Sequence, residues 1–142
     1  MKVTRIDHVG IAVADLDAAV ALYESAFGMR CVHTEVNEEQ GVREAMLEVG
    51  DSGSYVQLLQ PLEPDTTIGR FLERSGPGIQ QMAYRVDDLD EVSGHLRGQG
   101  LRLLYDEPRT GTAGSRVNFV HPKSAGGVLV ELVEPGPEAL GH

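Results

Sequence analysis

The sequence predicts an α+β fold in which two tandem βαβββ modules form one curved, mixed, eight-stranded sheet. The first observation behind this prediction is an internal repeat. Residues 6–17 recur in degraded form at residues 79–90, with His8 and Gln81 at matching places 73 residues apart. A repeat at a fixed spacing is typical of duplicated supersecondary units.

A second repeat has nearly the same spacing. Residues 56–61 resemble residues 130–135, which places Gln57 and Glu131 at matching positions 74 residues apart. The two repeats therefore correspond to the first and the last strand of each module. His8, Gln57, Gln81 and Glu131 are four polar side chains at equivalent positions in predicted strands.

The length of 142 residues suits one domain, which we expect to span residues 1–142. Module one is expected at about residues 3–61 and module two at about residues 78–135. Two such modules side by side give a sheet with helices outside and a cup inside, and the cup is where a ligand would bind.

The elements of module one follow from hydrophobic periodicity and turn residues. After the first strand, Asp15 or Asp17 can cap a helix at residues 16–27, which Gly28 ends. The next strands are predicted at residues 29–36 and 42–49, followed by a strand that contains Gln57 and ends at Pro61.

The remaining elements are predicted in the same way. Residues 62–77 contain a short helix between the modules, because Ile68, Phe71 and Leu72 recur at helical spacing. In module two we expect a helix at residues 89–99 and strands at residues 101–105, 115–120 and 127–133.

Strand alternation assigns the side chains to two faces of the sheet. Val9, Ile11 and Val13 would face a covering helix, whereas His8 points to the opposite face. By the same parity Gln57, Gln81 and Glu131 are candidates for the face that the helices leave open.

Composition narrows the class of ligand. The formal net charge of −10 argues against nucleic acid and against an anionic membrane, because phosphate binding requires clustered basic residues. No apolar run is long enough to span a membrane and no signal peptide is evident, so a cytoplasmic protein that binds a small molecule is expected. An anionic ligand would need a local basic patch, for which the candidates are Arg43, Arg102, Arg109, Arg116 and Lys123.

Several longer strings resemble one family. The duplicated module resembles the vicinal oxygen chelate superfamily, and within it the methylmalonyl-CoA epimerase family. The strings that carry the finer resemblance are Ile-Asp-His-Val-Gly at 6–10, Glu-Glu-Gln-Gly-Val-Arg-Glu-Ala-Met-Leu at 38–47, Leu-Leu-Tyr-Asp-Glu-Pro at 103–108, Gly-Ser-Arg-Val-Asn-Phe-Val-His-Pro-Lys-Ser at 114–124 and Gly-Val-Leu-Val-Glu-Leu at 127–132.

The resemblance implies a divalent metal ion in the cup, Co²⁺ or Zn²⁺ in the first place and otherwise Mn²⁺, Ni²⁺ or Mg²⁺. The ligand positions of the family fall on His8, Gln57, Gln81 and Glu131. Position 81 departs from the family, which normally has histidine there. A neutral amide oxygen holds a borderline-soft ion less tightly than imidazole does, so the metal affinity is expected to be lower.

The resemblance also implies the reaction, which is interconversion of (2R)- and (2S)-methylmalonyl-CoA through a metal-stabilised enolate. The two residues proposed to transfer protons in the family correspond to Glu44 and Glu131 in this sequence. The expected partner is an acyl-CoA, and the family resemblance implies a homodimer.

Three other functions remain open from the sequence. An Fe(II) dioxygenase of the superfamily would need two histidines and a carboxylate, and Gln81 removes the second histidine. A glyoxalase-type isomerase shares the fold without these strings. A metal-free or weakly metal-binding protein that sequesters a small molecule or an acyl-CoA is the alternative from another class.

Overall fold

The computed structural model describes residues 3–137, which contain eight strands and three α-helices. The strands are hydrogen-bonded in the order β2-β3-β4-β1-β5-β8-β7-β6, with both parallel and antiparallel neighbours. No helix in this range has the length and apolar character needed to cross a membrane. In chain order the elements are β1 (Arg5–Ala12), α1 (Leu16–Phe27), β2 (Arg30–Asn37), β3 (Val42–Glu48), β4 (Tyr55–Pro61), α2 (Thr67–Ser75), β5 (Gly78–Arg85), α3 (Leu89–Gly98), β6 (Arg109–Thr110), β7 (Arg116–Val120) and β8 (Val130–Glu134).

The predicted α+β class and the duplicated module are confirmed. The chain forms two compact units, of which one is His8–Gln80 and the other combines the residues up to Asp7 with those from Gln81 onward. The division falls inside β1, so the start of this strand belongs with the second half of the sequence. That the whole chain is a single domain stays a prediction.

The unit His8–Gln80 contains the strand order β2-β3-β4-β1. Its α1 helix covers one face of these strands, where Leu16 packs with Ala45, Leu47 and Leu58 in a buried apolar cluster. Of the predicted helix-facing residues, this arrangement buries Val13 and partly buries Ile11. Burial of apolar side chains of this size stabilises a fold by about 1.5 to 3 kcal/mol each.

The opposite face of this unit is also partly covered. Ala12, Val42 and Leu59 pack with Ile68 of α2 in a second buried cluster. Because strand residues two apart share a face, these three belong to the same face as His8, Glu44 and Gln57. The α2 helix therefore supplies an apolar boundary on the face that carries the candidate site residues.

The other unit repeats the pattern with the strand order β5-β8-β7-β6. Its α3 helix packs on one face, where Leu89 and Val92 contact Val120 and Leu132. The opposite face buries a smaller apolar cluster of Ala83, Val117 and Val133.

The junction between the first strand and the helix is the most faithfully repeated part of the modules. Asp15 caps α1 by accepting a hydrogen bond from the backbone N–H of Ala18, and Asp88 caps α3 through the N–H of Glu91. A side chain at the end of the last strand also accepts from the first helical N–H in each module. The acceptors are Gln60 for Leu16 and Glu134 for Leu89.

The predicted strand at residues 101–105 is wrong. This segment is attached to β7 by a single bridge between Leu103 and Val120 and by a hydrogen bond from the Leu104 N–H to the Phe119 carbonyl. The buried Asn118 side chain bonds both backbone groups of Tyr105, accepting from its N–H and donating to its carbonyl. The Asn118 side chain thus makes the hydrogen bonds with Tyr105 that a paired strand would make. The edge strand that pairs with β7 is β6 instead.

The predicted start of the last strand at residue 127 is also wrong, since β8 begins at Val130. Gly126 and Gly127 have φ angles of +68° and +96°, which lie outside the region that strands adopt. These two glycines form the turn that leads into β8.

The two helix caps predict a matched effect on stability. Replacing Asp15 or Asp88 by alanine removes the acceptor for an otherwise unpaired N–H, and each change should lower the free energy of unfolding by about 1 kcal/mol. Urea denaturation measures this, with Asp87→Ala as the control at the exposed neighbouring position. A loss in the control as large as in Asp88→Ala would contradict the assignment of the cap.

Candidate active site

All five residues that the sequence singles out are buried. Their exposed fractions are 2% for Glu44, 3% for His8, 4% for Gln57, 7% for Gln81 and 7% for Glu131. Polar and charged side chains are rarely this buried unless they are paired or have a function. Burial therefore separates these five residues from the many exposed carboxylates of this acidic chain.

Strand register brings three of them to one face of the unit His8–Gln80. Gln57 of β4 is opposite Gly10 of the parallel β1 and opposite Met46 of the antiparallel β3. His8 is two residues before Gly10 and Glu44 is two residues before Met46, so both share the face of Gln57. An imidazole, an amide and a carboxylate are thus presented by three adjacent strands.

Glu44 has one apolar and one acidic neighbour on the adjacent strands, because Leu59 of β4 and Glu35 of β2 are both opposite it. Leu59 is directly opposite Glu44 on β4, and Leu59 packs against Ile68 of α2. Directly opposite side chains in antiparallel strands are about 4.5 to 5.5 Å apart at Cβ. Glu44 is therefore a buried carboxylate with an apolar residue on one side and a second carboxylate on the other.

The other two residues are joined by a hydrogen bond in the second unit. Glu131 of β8 is opposite Ala83 of the parallel β5, and Gln81 is two residues before Ala83 on the same face. The Gln81 Nε2 donates to the Glu131 Oε1 at 2.7 Å, and both side chains are buried. The same register in module one places Gly10 opposite Gln57, so each pair has an equivalent in the other module.

Two of the five candidate basic residues are engaged elsewhere. Arg43 forms an ion pair with Asp17 at 2.8 Å, and Arg116 forms one with Asp90 at 3.0 Å. The hydrogen bond and the negative charge of Asp17 raise the pKa of Arg43. Hydrogen bonds to Asp90 and Glu134 raise the pKa of Arg116. These arginines attach a strand to a helix start in each module, so they are not expected to form the basic patch.

Sequence reasoning missed a partly buried ion pair between Asp7 and Arg85. The Arg85 Nε and Nη2 both donate to the Asp7 Oδ1, at 2.9 and 2.8 Å. The Thr4 N–H and hydroxyl also donate to the Arg85 carbonyl. The only signal in the sequence was an aspartate beside His8 in an otherwise apolar strand, and strand alternation did not give its partner.

The donor types at the four ligand positions fit a divalent ion. His8 offers a ring nitrogen, Glu131 a carboxylate, and Gln57 and Gln81 amide oxygens, which suit metals that accept mixed nitrogen and oxygen ligands. The nitrogen of Gln81 already donates to Glu131, so only its oxygen is available for a metal. Across residues 3–137, no group of three His, Cys, Asp or Glu is arranged to hold a metal.

The comparison with protein families identifies the class. Residues 7–119 match the glyoxalase/bleomycin resistance protein/dioxygenase superfamily. The chain therefore belongs to this superfamily.

Individual relatives narrow the class further. A crystal structure of methylmalonyl-CoA epimerase from Mycobacterium tuberculosis is 57% identical, with a TM-score of 0.93, and the match covers 95% of this chain and 90% of that one. A methylmalonyl-CoA epimerase solved in complex with methylmalonyl-CoA and NH4+ is 48% identical, with a TM-score of 0.91 over 97% of this chain and 99% of that one. The ethylmalonyl-CoA/methylmalonyl-CoA epimerase of Cereibacter sphaeroides is 35% identical over 130 residues, 90% of this chain and 96% of that protein. The chain is thus a member of the methylmalonyl-CoA epimerase family of enzymes.

The contact between Gln81 and Glu131 leads to a prediction about metal binding. In the variant Gln81→His an imidazole replaces the amide beside the Glu131 carboxylate, and nitrogen and oxygen ligands together bind Co²⁺ or Zn²⁺ well. The variant should bind these ions more tightly by about 1 to 3 kcal/mol. Calorimetric titration of the chelator-treated proteins measures the difference.

The matched control is Gln80→His, since residue 80 is the neighbouring glutamine and points to the other face of β5. It should bind metal no more tightly than the unchanged protein. Equal affinities for all three proteins would show that position 81 does not contribute to a metal site.

Proposed function

We propose that this protein interconverts (2R)- and (2S)-methylmalonyl-CoA. The observation that carries the proposal is the similarity to methylmalonyl-CoA epimerases over 90 to 97% of the chain. The buried Glu44 and Glu131 support it, because this reaction requires proton acceptors that are kept from bulk water.

The reaction requires one proton to leave C2 and another to return on the opposite face. We propose that one of the two carboxylates, Glu44 or Glu131, accepts the proton as the C2–H bond breaks. The electron pair moves into the thioester, which becomes an enolate. The other residue, in its protonated form, then donates a proton to C2 from the other side. Two acid–base groups in opposite protonation states thus give inversion with no net proton consumed.

The enolate oxygen carries the developing negative charge and needs stabilisation. We propose that His8, Gln57, Gln81 and Glu131 hold a divalent ion, Co²⁺ or Zn²⁺ in the first place. When bound, such an ion supplies Lewis-acid stabilisation of that oxygen. The residues themselves supply the orientation of the thioester and the removal of water from the carboxylates.

We also propose how the protein assembles and where it acts. We propose a cytoplasmic homodimer, with an acyl-CoA as the small-molecule partner. The molar mass in solution, measured by light scattering during size exclusion, tests the dimer directly.

The reaction is tested by incubating the protein with (2S)-methylmalonyl-CoA in heavy water and following exchange and inversion at C2. The unchanged protein should do both. Glu44→Gln removes one base and should reduce inversion by about 10²-fold or more, which is the usual contribution of a positioned general base. The variant should still exchange the proton of the epimer that Glu131 serves.

Two comparisons make this experiment specific. Glu48→Gln lies on the same strand and pairs with Arg30 at a half-buried site, so it should keep normal turnover. Glu131→Gln should impair metal binding as well as inversion, since that residue has two proposed roles. An unchanged protein that binds the thioester but neither exchanges nor inverts C2 would instead be a binding protein with the same fold.

A further inference from the structure

We infer that Gln81 is a positioning residue that holds the carboxylate of Glu131 in the orientation needed for proton transfer. This inference rests on the proposed function. The observation behind it is the buried 2.7 Å hydrogen bond from the Gln81 Nε2 to the Glu131 Oε1. It concerns two side chains on adjacent parallel strands of the same unit.

The chemistry of the two groups determines which end of the amide faces Glu131. An ionised carboxylate only accepts hydrogen bonds, and the amide oxygen of Gln81 would repel it. Nε2 is the only donor of this side chain, so it must face Glu131. Hydrogen bonds to charged acceptors are stronger than those between neutral groups, and burial strengthens them further.

The hydrogen bond restrains the carboxylate of Glu131. Oε1 accepts from the Gln81 Nε2, which restricts rotation of the carboxylate plane. Ala83 of β5 and Phe119 of β7 are the residues opposite Glu131 on the two neighbouring strands. Neither has a side chain that forms hydrogen bonds. The diagonal neighbour, Gln81, supplies a hydrogen bond that positions the carboxylate.

A positioning role predicts a selective defect. Gln81→Leu keeps a similar volume but removes the donor, so Glu131 should lose its orientation while Glu44 keeps its own environment. Inversion should fall by about 10- to 100-fold, the usual effect of losing a partner that orients a site residue. Proton exchange without inversion should continue for the epimer that Glu44 serves.

The test depends on which of the two epimers each variant still exchanges. Exchange of each pure epimer in heavy water is measured for Gln81→Leu, Glu131→Gln and Glu44→Gln. If Gln81 acts through Glu131, then Gln81→Leu retains exchange of the same epimer as Glu131→Gln and the opposite epimer from Glu44→Gln. A purely structural role would slow exchange of both epimers to a similar extent.

The neighbouring glutamine provides the matched control. Gln80→Leu makes the same change one residue earlier, on the opposite face of β5, and should leave inversion and both exchange rates at the level of the unchanged protein. Gln81→Met is unbranched and also lacks a donor. It replaces Gln81→Leu in the test if the leucine variant is unfolded at the assay temperature.

Three results would overturn the inference. The first is normal inversion in both Gln81→Leu and Gln81→Met, and the second is an equal loss of proton exchange for both epimers. The third is that Gln81→Leu still exchanges the epimer that Glu44→Gln also exchanges. A failure of the proposed function is recognised separately, because the unchanged protein would then show neither exchange nor inversion.

Discussion

The register of two parallel strand pairs is the constraint on which the candidate site depends. Gln57 is opposite Gly10 in the pair β1 and β4, and Glu131 is opposite Ala83 in the pair β5 and β8. A shift of one residue in either pair would turn the polar side chains towards the covering helix and the apolar ones away from it. The core and the site are therefore specified by the same pairing. Any change that weakens packing under α1 or α3 puts the site residues at risk as well.

The duplicated modules have kept their structural contacts and changed their chemistry. The helix caps and the ion pairs Arg43–Asp17 and Arg116–Asp90 recur at a spacing of 73 residues, with the same types of contact. At the site, by contrast, histidine in one module corresponds to Gln81 in the other, and an amide corresponds to Glu131. A strand-to-helix junction tolerates few alternatives, since its backbone groups must be paired. A ligand-facing position has no such structural requirement and is free to diverge.

Much of the fold followed from the sequence because the repeat and the period-two alternation are strong signals. The bounds of α1 and the helix-facing side of β1 were predicted correctly from these signals alone. The segment 101–105 was not, because the side chain of Asn118 bonds both backbone groups of Tyr105, and a sequence pattern does not reveal such a contact. The partly buried Asp7–Arg85 pair and the Gln81–Glu131 hydrogen bond were missed for a related reason. Residues far apart in sequence meet there, and alternation predicts only the face of each residue.

The placement of the first residues has a consequence for synthesis on the ribosome. Thr4 and Asp7 contact Arg85, whereas the rest of β1 belongs to the unit that ends at Gln80. The unit His8–Gln80 is contiguous and has all of its residues once Gln80 has emerged. The start of β1 must wait for Arg85 before it gains its contacts to that residue, and contacts of long sequence separation form late. One strand is therefore completed in two stages during synthesis, its second part before its first.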